Sequence, residues 1–210
     1  MLWIDHVILG CTDLDAAAER LLERHGLDSA PGGVHPTWGT GNRIVPLGSS
    51  YIELLGVVDP EAAAKSFLGR ELMQKVNQSD RLIGWCVATD RLYEICARLG
   101  LDLQTGSRLR PDGRILQWRS CGLERAMGSN GLLPFFISWE VRAEEHPGRD
   151  PADHRIHPNG IAWVQVQGEP TAVDRWLGED RSDLPLRVVS GNAGIQAVGI
   201  ATDEGEIVLK

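Results

Sequence analysis

The stretch Ile4-Asp5-His6-Val7-Ile8-Leu9-Gly10, followed by Thr12-Asp13-Leu14-Asp15-Ala16-Ala17, decides the fold. Its first part is an apolar run of strand length. Thr12-Asp13 predicts a helix cap, and Leu14, Ala17, Ala18, Leu21 and Leu22 give residues 14–24 one apolar face. Gly26 stands where that helix should stop. After a Gly- and Pro-rich loop, residues 42–47 and 50–57 read as short strands separated by Gly48-Ser49.

The same order returns about 77 residues later. Residues 82–88 form the strand, Thr89-Asp90 takes the capping place, and Leu92, Ile95, Cys96 and Leu99 form the apolar face, with Gly100 as the stop. Strands follow at residues 115–121 and 132–140, with a turn at Pro111-Asp112-Gly113. A weaker third copy has a strand at 160–167, a helix at 171–177 and strands at 195–202 and 206–209. Each unit covers one face of its strands with its helix and leaves the other face for a groove. Two such units pair into a bowl with a cleft, a usual place for a ligand.

The 210 residues are 42% hydrophobic and 24% charged, enough for a sizeable core. Lys plus Arg number 21 against 29 Asp plus Glu, a net charge of −8. Such a surface repels phosphate backbones and anionic lipid, so neither nucleic acid nor membrane is an expected partner. No apolar run approaches the roughly 20 residues that span a bilayer. The first six residues lack the basic region of a signal peptide. Cys11, Cys86, Cys96 and Cys121 have no close-paired spacing, which points to reduced core thiols and a cytoplasmic protein.

Asp5-His6-Val7 running into Thr12-Asp13-Leu14-Asp15-Ala16-Ala17 resembles the opening of the vicinal-oxygen-chelate superfamily, which includes glyoxalase I, extradiol dioxygenases and bleomycin-resistance proteins. Residues 32–42 (GGVHPTWGTGN) with Tyr51-Ile52-Glu53-Leu54, and residues 133–140 (LPFFISWE) with His157-Pro158-Asn159-Gly160, resemble the bacterial glyoxalase-like domain branch. The resemblance implies an α+β fold. Two paired βαβββ modules (about 1–60 and 80–141, within 1–145) form a curved mixed sheet with a cleft. A loop over 146–158 then leads to a third, partial βαββ module over 159–210. It also implies a small-molecule ligand, as a monomer or homodimer. The implied activity is that of a metal-dependent lyase, isomerase or dioxygenase, or metal-free sequestration of the bleomycin-resistance kind.

Catalytic members of the superfamily hold a divalent metal on four strand positions. By resemblance, His6, Glu53 and Glu140 fall on three of them, while the fourth falls on Ile83 or Gly84, neither of which can coordinate. Alternation places His6 beside Ile4 and Ile8, Glu53 beside Tyr51 and Leu55, and Glu140 beside Phe136 and Ser138. One imidazole and two carboxylates suit Fe, Mn, Ni or Zn with positions left open for substrate. The alternative is no metal: His6 a core histidine, Glu53 paired with Arg43 or Arg119, and Glu140 at a strand end.

His35, on a loop beside Trp38 and Asn42, is a candidate general acid or base, with Glu140 as a second candidate catalytic group. Trp38, Trp118, Phe136 and Trp139 are candidates for an aromatic cleft wall, and Arg119 for a partner to a substrate carboxylate. His154-x-x-His157 resembles half a metal site, though its Pro and Asp neighbours argue against a helix holding both on one face, and by resemblance His157 alone is a candidate cleft hydrogen-bonder. Gly39-x-Gly41 lacks the third glycine of a dinucleotide site. There is no Gly-x-Ser-x-Gly elbow for a covalent hydrolase.

Overall fold

The computed structural model describes residues 1–110 and 113–210, so Pro111 and Asp112 of the expected turn lie outside the described residues. The first unit is β1 (Leu2–Cys11), α1 (Leu14–His25), β2 (Ala30–His35), β3 (Thr40–Pro46) and β4 (Tyr51–Val57). Asp13 accepts from the Ala16 N–H at the head of α1, and Gly26 closes it with φ 68°. The stretch read as a Gly- and Pro-rich loop contains β2, whose residues pair antiparallel with β3 despite an irregular register between Pro31 and Val34.

Helices α2 (Pro60–Lys65) and α3 (Phe67–Lys75) lead into the second unit. That unit is β5 (Arg81–Thr89), α4 (Leu92–Leu99), β6 (Gln104–Leu109), β7 (Ile115–Cys121), α5 (Leu123–Gly128) and β8 (Phe135–Trp139). Here Thr89-Asp90 does not cap the helix as Thr12-Asp13 does. Arg91 is the N-cap and makes no side-chain cap bond. Asp90 is instead paired with the Met1 amino group at 3.0 Å.

These strands form one eight-stranded sheet in the order β2-β3-β4-β1-β5-β8-β7-β6. At its centre β1 runs antiparallel to β5, and each is flanked by the parallel last strand of its own unit, β4 or β8. The sheet curls until its two edge strands approach. A Cβ on Gly33 of β2 would meet the Arg108 stem of β6 at 2.8 Å. The pocket lies inside this curl.

Two short 3-10 turns (Ala143–Glu145 and Pro147–Arg149) follow, then β9 (Pro158–Gln167), α6 (Pro170–Leu177), β10 (Leu186–Val189), β11 (Gly194–Thr202) and β12 (Gly205–Leu209). The last four strands form a second sheet in the order β10-β9-β11-β12. Its Val164, Val166, Val198 and Ile200 join Val7, Leu9, Leu21, Trp85 and Phe136 in the larger core. A smaller core, containing Ile8, Leu72, Ile83, Met127 and Ile137, sits on the pocket side. Each fully buried aliphatic side chain contributes about 1.5–3 kcal/mol, so both layers matter to the shape of the curl. The four cysteines are free and buried. Burial, helped by the Asp80 charge, pushes the Cys11 thiol up to about 12. Among the described residues no helix is long and apolar enough to cross a membrane.

Candidate functional site

An irregularity in β1 creates the centre of the site. Ile4 lies opposite Val87 and His6 opposite Cys86, so Asp5 is one residue too many for the ladder. A bulge of this kind breaks strict alternation. Ile4 turns into the larger core while His6 and Ile8 face the pocket. This corrects the expected grouping of His6 with Ile4. It also brings neighbours that alternation would separate into contact: Asp5 Oδ1 lies 2.6 Å from His6 Nδ1.

The other Asp5 oxygen, Oδ2, accepts from Trp139 Nε1 at 2.9 Å and lies 3.0 Å from His146 Nε2. The Gly148 N–H donates to His146 Nδ1 at 3.1 Å, which assigns the His146 proton to Nε2 and gives Asp5 Oδ2 a second donor. Burial opposes the Asp5 charge, but the hydrogen bonds from His146 and His6 outweigh it and hold the carboxyl well below the usual carboxylate range. An ionised Asp5 accepts from His6 Nδ1, so a neutral His6 turns the lone pair of Nε2 into the pocket. Glu53 Oε2 is 4.0 Å from that nitrogen. The Tyr51 ring stacks on the imidazole at 4.5 Å and Phe135 meets it edge-on at 5.4 Å, which fixes its plane.

Glu53 is held by an amide. Asn42 Nδ2 donates to Glu53 Oε1 at 2.6 Å, while Asn42 Oδ1 accepts from the Gly33 N–H at 2.8 Å and from Arg108 Nη1 at 2.9 Å. The β2 backbone must approach closely for this. A Cβ on Gly32 would stand 2.1 Å from Asn42 Oδ1, so only glycine fits there. His35, the last residue of β2, also lines the pocket, with Nδ1 3.2 Å from Thr40 Oγ1. Burial lowers its pKa, the Glu53 charge opposes this and the Arg108 charge adds to it, so His35 is neutral at neutral pH.

Trp38, Leu68, Trp118, Phe135, Ile137 and Trp139 make the walls. The cavity volume is about 80 Å³, room for several waters or a ligand of a few heavy atoms.

Of the expected site residues, the structure brings His6, His35, Trp38, Asn42, Glu53, Trp118 and Trp139 together around this pocket. It does not bring Phe136, Arg119, Glu140 or His157 there. On β8 the period of two sends Phe135, Ile137 and Trp139 inward and Phe136 outward, where it stacks on Trp176 in the larger core. Glu140 lies just beyond β8, 41% exposed and paired with Arg119 at 2.5 Å. Arg119 reaches outward over the Tyr93 ring. His157 lines a separate surface hollow with Pro46, Gly48 and Asn159. His154 accepts from the Asp28 N–H and faces the Pro46 carbonyl, which pins the connecting segment and leaves it no ligand role beside His157. Arg43 pairs with Asp15 rather than Glu53.

Sequence reasoning passed over Asp5, His146 and Arg108. Period-two alternation put Asp5 on the wrong face, His146 lay in a segment read only as a connector, and Arg108 belongs to a strand that was not anticipated. The Asp5-His6 dipeptide was the one available signal, since a carboxylate beside a histidine often orients it.

The donor set does not fit a divalent metal held by the protein. Among the described residues the pocket offers His6 Nε2, His35 and Glu53, but their donor atoms do not converge into one cluster, and Asn42 already occupies one oxygen of Glu53. Across the pocket the second unit offers Phe135 and Ile137, and Arg108, bonded to Asn42, sets a fixed positive charge near Glu53. Asp5, His6 and Cys86 also cluster tightly. However, Asp5 is committed to three nitrogens, and burial, with the Asp5 and Glu53 charges, raises the Cys86 pKa and keeps its thiol protonated.

Residues 4–180 match the glyoxalase-like domain family. No curated protein matches the chain in sequence. Among solved structures, a hypothetical protein from Staphylococcus aureus is similar over 100% of this chain and 99% of its own, at 16% identity and a TM-score of 0.69. Methylmalonyl-CoA epimerase from Mycobacterium tuberculosis is similar over 66% of this chain and 87% of its own, at 19% identity and a TM-score of 0.46. The Streptomyces coelicolor epimerase in complex with 2-nitronate-propionyl-CoA is similar over 64% and 93%, at 17% identity and a TM-score of 0.45. The staphylococcal likeness is one of fold.

Proposed function

The chain belongs to the glyoxalase-like domain family of the vicinal-oxygen-chelate superfamily, and from that premise we propose that its pocket binds a small carbonyl metabolite and moves a proton on it. The reading is an isomerase or lyase whose acid–base groups are His6 and Glu53. The observation that carries it is the His6 imidazole, locked through Nδ1 to Asp5, with Nε2 turned toward Glu53 in an aromatic pocket.

His6 Nε2 takes a proton from the carbon beside the carbonyl. The C–H electrons become the C=C bond of an enolate, whose negative charge rests on oxygen. Asp5 stabilises the imidazolium that forms, as does Glu53 from 4.0 Å. Returning the proton to the other face or another carbon gives isomerisation, and departure of a neighbouring leaving group gives lysis. The donor set does not suit a redox metal, which argues against dioxygenation.

The tryptophan walls favour a second reading, binding without turnover, as in sequestration. One experiment separates the two. Small carbonyl compounds are incubated with the protein in deuterium oxide and proton loss at carbon is followed by NMR. Catalysed exchange that falls about 100-fold or more in His6→Asn supports the enzyme. Saturable binding without exchange supports sequestration.

A further inference from the structure

Arg108 is a buried cation with no carboxylate in direct contact. It is 7% exposed and lines the pocket. Among the described residues its side chain makes one hydrogen bond, to the neutral Asn42 amide, and no carboxylate oxygen lies within 4.0 Å. Desolvating a guanidinium is costly unless a negative group meets it, and its planar fork of donors suits a carboxylate. The cation sits on edge strand β6, brought over by the curl of the sheet, so it closes the pocket from the side facing the first unit.

We propose that Arg108 is the specificity-determining anchor for a ligand carboxylate, and that the substrate class is a small monocarboxylate. Asn42 sets the geometry. One end of its amide holds Glu53 and the other holds Arg108, so acid–base group and anchor are one amide apart. A carboxylate seated on the guanidinium therefore places its adjacent carbon nearest the His6–Glu53 pair. The cavity admits only a few heavy atoms, which limits the chain attached to that carbon. The anchoring itself does not depend on the proton-transfer reading. Only the fate of the adjacent carbon does.

The test uses propionate, lactate and the uncharged propionamide as probes, with binding followed by two-dimensional NMR of the whole protein. The expected result is binding of both carboxylates at millimolar concentrations, with propionamide about tenfold weaker. Arg108→Gln should erase that preference and Arg108→Lys should keep part of it, while Glu53→Gln should keep it and lose exchange at carbon. Equal binding of propionate and propionamide, or no binding of any carboxylate, overturns the proposal without reference to a variant. An Arg108→Gln protein of unchanged near-ultraviolet circular dichroism that still prefers propionate overturns it too. Carboxylate preference together with no exchange on any of the small carbonyl compounds would sink the proton-transfer reading alone.

Discussion

The two halves of the large sheet share one chain plan and divide the work of the pocket unequally. The first unit contributes His6, His35, Asn42, Tyr51 and Glu53, whereas the second contributes Trp118, Leu123, Phe135, Ile137 and Trp139, with Arg108 as its single charge. Both central strands carry a register irregularity, at Asp5 in β1 and at Ile83 in β5, but where the first presents Asp5 and His6 the second presents Ile83 and Gly84, and Gly84 lies against the Met127 methyl. A duplicated scaffold thus holds acid–base groups against an apolar wall. The wall excludes water and strengthens each charge interaction across the cavity.

The largest expected effect is on stability in the first half. Asp5→Ala leaves two imidazoles and an indole N–H without their acceptor and should cost about 3–5 kcal/mol by chemical denaturation. The Asp5 carboxyl is depressed in the fold, so its contribution is complete above the unfolded carboxylate value near 3.9 and is lost as pH falls through the folded value. The stability gap between wild type and Asp5→Asn should therefore narrow below about pH 4. A gap that widens on acidification would contradict the assignment of Asp5 as the anion.

Next in size is activity. Glu53→Gln should slow exchange at carbon by about 100-fold while leaving the melting temperature within a few degrees, since Asn42 and Gln can still pair. In the second half, Trp118→Ala should weaken ligand binding several-fold and leave the pH profile of exchange unmoved, because the ring supplies surface and no proton. An altered pH profile in Trp118→Ala would blur the division between the halves.

Smallest is the outward pair. Arg119 and Glu140 are 36% and 41% exposed, so Glu140→Gln should change stability by less than about 1 kcal/mol and exchange not at all. Loss of activity in that variant would restore Glu140 to the site and undo the comparison.

The strand–helix–strand order was legible because its signals are local. The alternating apolar faces, Asp13 as a cap and Gly26 and Gly100 as stops can all be read within a few residues. Strands β2 and β6 were not legible. Their residues are polar or glycine-rich at the sheet edge, where pairing rather than burial selects the strand. His6, Glu53 and Asn42 could be found because the resemblance marks them and their strands are apolar. Phe136 and Trp139 were expected on one wall, yet they are three apart on β8 and a strand must place them on opposite faces. The Asp5 bulge depends on how β1 meets β5, a contact some eighty residues away that no local pattern records.

The most direct test of the account is the tautomer of His6, read by nitrogen-15 NMR under conditions where the ring is neutral. A proton on Nδ1, with Nε2 as the open base, is the predicted state, and it should be lost in Asp5→Ala. A neutral ring carrying its proton on Nε2 would point that hydrogen at Glu53, remove the base from the pocket and contradict the proposed chemistry.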